Sequence, residues 1–359
     1  MNQEIFNPNF IFLSKVLSKI LNPVYFLFNL IKPKNIFYLN NEIKTILITE
    51  YYCIGDILIV IPAIESIRKH FVNAKIILIC SVEAEPLAKM IKVFDEVIPF
   101  EVPWKRNPLS LNKIWQSRKF ARSLRNKNID LAFDFRGDIR NNWFLYQINS
   151  KYSIGYSFTG GHYFLDKTIE FPYRLHQRDR SLQLISSIGI KPYIRNKKTK
   201  KTQDGYLVLH LGASDSLRTW PVELWVKLVK ALCEKYKIAI VEVPEAIELI
   251  NSLMEIDQSI KTYKGTLNEF SAWLENQRLL VGHDSMAGHL AAYLNIPVIS
   301  IFGSQNPELT KPQGPIVRVI KPIKKCRHAR SHWRLCKPCI KTIKPEEVFT
   351  AINDILKIK

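Results

Sequence analysis

A chain of 359 residues that is 47% hydrophobic and 23% charged is a globular protein rather than a disordered one, long enough for two domains with separate cores. Its 52 Lys and Arg outweigh 32 Asp and Glu, and the resulting charge of +20 favours anionic partners: nucleic acid, acidic lipid or phosphorylated substrates. No zinc-finger, RNA-recognition or basic-zipper pattern is present and the basic residues are spread along the chain, so nucleic acid falls behind the other two and is not expected as a partner.

Residues 1–44 form a separate arm. The run from Phe10 to Ile31 is apolar but is interrupted by Lys15, Lys19 and Pro23. A spanning helix would bury two ammonium groups and kink at the proline, and Met1-Asn2-Gln3-Glu4 lacks the basic start of a secretory signal. The pattern predicts an amphipathic segment lying on an anionic membrane surface, with a helix docked on the protein itself as the alternative.

From residue 45 the pattern alternates between strand and helix. Strands are predicted at Lys44–Glu50, Lys75–Ser81, Glu96–Phe100 and Ile129–Phe135. Helices are predicted at Asp56–Phe71, Glu83–Met90, Leu111–Asn126, Asn141–Asn149 and Ser181–Gly189. A polar, basic stretch at 196–205 reads as a linker, and the alternation then restarts. Strand Tyr206–Leu211, helix Pro221–Tyr236 and strand Lys237–Val243 follow, then a strand–helix–strand set around Val281–Gly303. The class is α/β, with parallel doubly wound sheets in domains 45–195 and 206–359.

Three loops carry candidate chemistry. Ile54-Gly55-Asp56 puts a carboxylate at a helix start directly after a strand, where Asp56 either caps the helix or faces a ligand as a base. His210 to Pro221 is a loop of small residues holding Ser214 and Arg218, a guanidinium suited to diphosphate. In Val281–Ala292, Asp284 or Ser285 can cap a helix whose N-terminus is a ready anion site, and His289 lies about a turn further on. The alternative there is a capped helix packed between two strands. No GxGxxG and no GxxxxGK[ST] motif occurs, which counts against dehydrogenases and P-loop enzymes.

Taken in order, these motifs resemble glycosyltransferase family 9, the bacterial heptosyltransferases of lipopolysaccharide biosynthesis. The resemblance runs from about Thr45 to the C-terminus. It rests on Ile46-Leu47-Ile48 with Ile54-Gly55-Asp56 and Pro62-Ala63, then Leu175-His176-Gln177 with Arg180. It continues through Gly212-Ala213-Ser214 with Arg218-Thr219-Trp220-Pro221, then Asp284-Ser285 to Ala292 with Phe302-Gly303, and ends at Lys344–Val348.

The resemblance implies a GT-B fold, two Rossmann-like domains facing across a cleft. The acceptor would bind domain 45–195 and a nucleotide sugar domain 206–359. It also implies inverting, metal-independent transfer of heptose from an ADP-activated donor to a lipid-linked saccharide acceptor at the cytoplasmic face of the inner membrane, with no cofactor beyond the donor. By resemblance Asp56 is the general base, while Ser214, Arg218, Asp284, Ser285, Met286 and His289 bind the donor. The chain departs from the family pattern in having Arg218 for lysine, Met286 for glycine, and Glu242-Val243-Pro244-Glu245 for a Gly-Gly-Pro turn. A fold retained for binding or scaffolding without turnover is the alternative those changes leave open.

Of the six cysteines, Cys53, Cys80 and Cys233 are scattered in apolar segments and read as reduced thiols of a cytosolic protein. The other three join two histidines in Cys326-x-His328-x₃-His332-x₃-Cys336-x₂-Cys339. That set could close a tetrahedral zinc site, or form a basic loop that touches acidic lipid or acceptor phosphates; no metal is expected in catalysis.

Overall fold

A computed structural model describes residues 6–31, 43–105, 110–195, 198–199, 202, 204–330 and 334–357. The chain separates into two units between Arg195 and Asn196. Much of the stretch read as a linker, together with His332, lies outside the described residues.

In unit 1 the strands are β1 (Thr45–Thr49), β2 (Lys75–Cys80), β3 (Glu96–Pro99), β4 (Leu131–Asp134), β5 (Tyr152–Tyr156) and β6 (Lys167–Ile169). They form one sheet of order β3-β2-β1-β4-β5-β6, parallel throughout. Its helices are α1 (Pro8–Ile31), α2 (Ile54–His70), α3 (Glu85–Met90), α4 (Leu111–Ser123), α5 (Ile139–Ile148) and α6 (Gln177–Ser186). Ile46, Leu47 and Ile48 are all fully buried, as expected of a central strand with both faces covered by helices.

Unit 2 repeats the winding. Its strands are β7 (Leu207–His210), β8 (Ile238–Val241), β9 (Lys261–Tyr263), β10 (Leu279–His283), β11 (Val298–Ile301) and β12 (Val317–Ile320), in the order β12-β11-β10-β7-β8-β9. Every pairing is again parallel. Its helices are α7 (Val222–Cys233), α8 (Ile247–Met254), α9 (Leu267–Leu274), α10 (Met286–Tyr293), α11 (Pro307–Thr310), α12 (Lys337–Ile340) and α13 (Pro345–Lys357). Both sheets reverse their strand order beside the first strand. In unit 1 that point lies between β1 and β4, and in unit 2 between β7 and β10; such a switch point is where doubly wound sheets bind ligands.

The elements predicted from alternation are present, with ends shifted by a few residues. Strands β5, β6, β9 and β12 and helices α8, α9, α11 and α12 were not predicted individually. Strands β6 and β9 are three-residue edge strands, Lys167-Thr168-Ile169 and Lys261-Thr262-Tyr263, too short and too polar to give a hydrophobic period. Pro221 occupies the N-cap of α7 rather than its first turn.

Helix α1 packs on unit 1 along one narrow seam. Phe10, Leu21 and Tyr25 join a small core with Ile139, Tyr163 and Phe164, and Tyr25 stacks on Tyr163 with ring centroids 5.2 Å apart. Ser14 and Ser18 are 4% and 6% exposed, and the Ser18 hydroxyl accepts a hydrogen bond from the Gly161 amide at 2.9 Å. Gly160 has φ +112°, and a Cβ there would lie 2.4 Å from that of Ser18, so only glycine permits this approach. The opposite side leaves Phe12, Leu13, Val16, Leu17, Ile20, Val24, Phe26 and Leu27 exposed. The helix is docked on the protein, as the alternative reading of the arm had it, and keeps an exposed apolar side.

Candidate active site

Each unit carries a polar cluster at the carboxyl ends of its central strands. In unit 1, β1 runs into Glu50-Tyr51-Tyr52-Cys53 and then α2, while β4 runs into Phe135-Arg136-Gly137-Asp138 and then α5. The N-cap of α2 is Cys53 and makes no side-chain cap bond, so Asp56 is not spent on capping. Its carboxylate forms an ion pair with Arg136 and accepts a hydrogen bond from the Gln177 side-chain amide at 3.3 Å. Arg136 is shared: its Nε and Nη2 also donate to Glu50, at 3.1 and 2.8 Å to Oε1. Burial disfavours the charge on Arg136, but the carboxylates of Asp56 and Glu50 override it and raise its pKa.

Glu50 is 1% exposed, and burial pushes its carboxyl up to about 7, with Asp56 and Asp134 adding repulsion against the pull of Arg136. Asp134 is fully buried and is raised to about 6 by burial, although the Gly137 and Arg136 amides and the Asn141 amide group donate to it. A second cation closes the cluster. Arg180 is 3% exposed, lies over the Phe171 ring, and its Nε and Nη1 have no hydrogen-bond partner. Burial lowers its pKa to about 10, helped by repulsion from Arg136. A buried guanidinium with spare donors is a site for an anionic or hydroxyl-rich ligand.

In unit 2, Arg218 stands at the end of the loop after β7, and its Nη1 lies 3.4 Å from both the carbonyl and the carboxylate of Asp284. Gln305 donates to the same carboxylate at 3.3 Å. Ser285 is the N-cap of α10, as one of the two sequence alternatives had it, but its hydroxyl makes no cap bond and has no partner; Nε of Arg218 is likewise unpaired. The helix start therefore keeps its free donors beside a spare hydroxyl and a spare guanidinium N–H, an arrangement fitted to a diphosphate. Met286 opens the helix and is part-buried, His289 is mostly buried within it, and Ser214 is exposed on the loop.

Two further side chains fix this loop. His283, at the end of β10, accepts the Trp220 amide on Nε2 at 2.8 Å, and burial lowers its pKa to about 3. Lys337 donates from Nζ to the Ser216 carbonyl, the Thr219 carbonyl and the Thr219 hydroxyl at 2.6, 2.8 and 2.9 Å. The Glu242–Glu245 turn lies against Gly212, where a Cβ would meet Glu245 Oε1 at 2.7 Å. Thr219, Trp220, Pro244 and Glu245 border a cavity of about 390 Å³ within unit 2.

The sequence reading thus named Arg218, Asp284 and Ser285, which do come together, and Asp56. It gave no role to Glu50, Arg136, His283 or Gln305, and placed Lys337 only in a basic loop that touches acidic lipid or acceptor phosphates. Arg136 had a usable signal, since Phe-Arg-Gly-Asp follows the strand next to the switch point. Lys337 is more than a hundred residues from the loop it holds, and no local pattern reveals it. Of the cysteine cluster, Cys326, His328, Cys336 and Cys339 place their ligand atoms within 4.8 Å of one another.

The glycosyltransferase family 9 (heptosyltransferase) profile matches residues 117–339. The chain is similar to lipooligosaccharide heptosyltransferase 2 of Campylobacter jejuni, 25% identical over 329 residues that cover 85% of this chain and 96% of that one. Among solved structures it is similar to the Escherichia coli heptosyltransferase WaaC with ADP, with a TM-score of 0.71 at 17% identity over 87% and 99% of the two chains. A more distant neighbour is the iron-containing dodecameric glycosyltransferase TibC of enterotoxigenic E. coli H10407, with a TM-score of 0.52 at 13% identity over 88% and 76%. The two parallel doubly wound units have the α/β fold of the GT-B heptosyltransferase structures. With the family profile spanning most of its length, this chain belongs to glycosyltransferase family 9, the heptosyltransferases.

Proposed function

We propose that the chain transfers a heptose from an ADP-activated donor to a lipopolysaccharide-core-like saccharide acceptor, with inversion at the anomeric carbon. The observation that carries this reading is Asp56, which is free of capping duty and held by Arg136 and Gln177 in a chain of this family. Unit 1 binds the acceptor. Asp56 removes the proton from the acceptor hydroxyl as its oxygen bonds to the anomeric carbon and the bond to the donor phosphate breaks. Attack opposite the leaving group inverts the configuration.

Unit 2 binds the donor. Negative charge grows on the departing diphosphate and is met by Arg218, the Ser285 hydroxyl and the N-terminus of α10, with Ser214, Asp284, Met286 and His289 bordering the phosphates and sugar. Fixed donors of this kind supply the charge stabilisation, so no metal is needed in the transfer step. The Glu242–Glu245 turn at the end of β8 takes the place of a glycine turn and sets the nucleoside contacts.

The exposed face of α1 seats the enzyme on an anionic membrane surface, peripheral to the inner face of the inner membrane. By length and composition Pro8–Leu27 could cross a bilayer. Two observations support an interfacial placement instead: the seam of Ser14 and Ser18 on Gly160 and Gly161, and the two lysines.

The test is Asp56→Asn with ADP-heptose and a core acceptor. Transfer is expected to fall about 10²–10⁴-fold, the usual contribution of a general base, while the thermal-shift response to donor stays unchanged. An unchanged transfer rate removes Asp56 from the role. Donor binding with no transfer in the unmodified chain favours the scaffold reading.

A further inference from the structure

Outside both polar clusters, unit 2 gathers three thiols and an imidazole that the transfer step does not use. Cys326 Sγ lies 3.4 Å from Cys336 Sγ, and His328 Nδ1 lies 3.9, 3.8 and 3.4 Å from the sulfurs of Cys326, Cys336 and Cys339. A tetrahedral zinc ion, with bonds of about 2.3 Å to sulfur and about 2.0 Å to nitrogen, sets its ligand atoms roughly 3.8 Å apart for S···S and roughly 3.5 Å apart for S···N. The S···S separation and the three S···N separations lie within about 0.4 Å of these values, and all four ligand atoms lie within 4.8 Å of one another. All three cysteines are free thiols, and 3.4 Å is far beyond the roughly 2.05 Å of a disulfide.

We infer that Cys326, His328, Cys336 and Cys339 bind one zinc ion as a closed structural site. Four protein ligands leave no open position, so the ion does not activate water or substrate. Three thiolates on a divalent ion leave one net negative charge, and Lys324, Lys325, Arg327 and Lys337 are close in sequence to offset it.

The site has a mechanical consequence. Cys336 donates its amide to the Ser304 hydroxyl, which donates in turn to the Arg334 carbonyl. Lys337 sits between ligands Cys336 and Cys339, and its ammonium spends three hydrogen bonds on the Ser216–Thr219 turn that carries Arg218. The metal therefore pins Lys337, and Lys337 pins the arginine loop. The value of that clamp to catalysis rests on the donor-binding role proposed for Arg218; the metal site itself does not.

The full chain, purified under reducing conditions, is expected to contain about one zinc per molecule by elemental mass spectrometry. Cobalt exchanged into the site is expected to show the visible absorption of a tetrahedral thiolate complex. Cys326→Ser and His328→Ala alter the two less buried ligands, so folding should survive, and zinc content is expected to fall well below one. Chelation of the unmodified chain is expected to speed hydrogen exchange at the Leu217, Arg218 and Thr219 amides and leave β1 unaffected. A chain that takes up no zinc at micromolar concentration overturns the site, as do iron in its place, full zinc retention in both variants, or a Cys326–Cys336 disulfide. Unchanged exchange at residues 217–219 overturns the clamp alone. None of these readouts depends on sugar transfer, so a failed transfer assay and a failed metal assay remain separate results.

Discussion

Arg136 sets the character of unit 1 because two carboxylates depend on it. Removing one partner of a buried ion pair leaves uncompensated charge and costs about 3–5 kcal/mol, whereas removing matched partners costs far less. Arg136→Met is therefore expected to lower the denaturation midpoint of the chain sharply, and adding Glu50→Gln is expected to recover part of the loss. Chemical denaturation of the single and double variants measures the difference. Asp56 could be picked out from the sequence because Gly-Asp after an apolar strand is a local pattern. Glu50 could not be given a role that way, and Phe-Arg-Gly-Asp did not reveal the partners of Arg136, since their pairing depends on β1 and β4 lying side by side, with Thr49 bonded to Phe133 at a sequence separation of 84. Arg218, Asp284 and Ser285 were legible individually for the same local reason.

At the scale of elements, α1 separates its docking from its exposed face. Gly160→Ala forces a Cβ into Ser18 at a backbone angle that side chains rarely adopt. It is expected to release the helix, seen as rapid proteolysis within residues 8–27 while the rest of unit 1 resists. Leu13→Gln with Ile20→Gln alters residues that are both 65% exposed. That pair is expected to leave the helix docked and weaken sedimentation with vesicles by about tenfold or more, since each substitution removes a large apolar side chain from the exposed stripe. The sequence showed this helix through its lysine spacing and apolar run. It did not show Ser14 and Ser18 as the docking seam, because serines four apart look like a solvated face until glycines 160 and 161 are placed beneath them.

For the molecule as a whole, the charge of +20 acts on every anionic surface it meets. Association with vesicles rich in acidic lipid is expected to weaken as salt rises from about 0.05 to about 0.5 M, and a residual apolar component from α1 should persist.

The two halves also respond in opposite senses to acidity. In unit 1, Glu50 and Asp134 are raised to about 7 and about 6, so their protonated forms favour the fold. That contribution is whole below about pH 4 and drains away as pH climbs through those values. In unit 2, His283 is lowered to about 3, so its contribution is whole above about pH 6.5 and drains away as the medium is acidified. Calorimetric scans between about pH 4.5 and 7 should therefore show two melting transitions moving toward or away from each other, and His283→Gln should flatten the acid-side loss of the second. A protein built from two copies of one winding pattern thus carries opposite pH sensitivities in its halves, and mild acidification would loosen unit 2 while leaving the half that holds Asp56 firm.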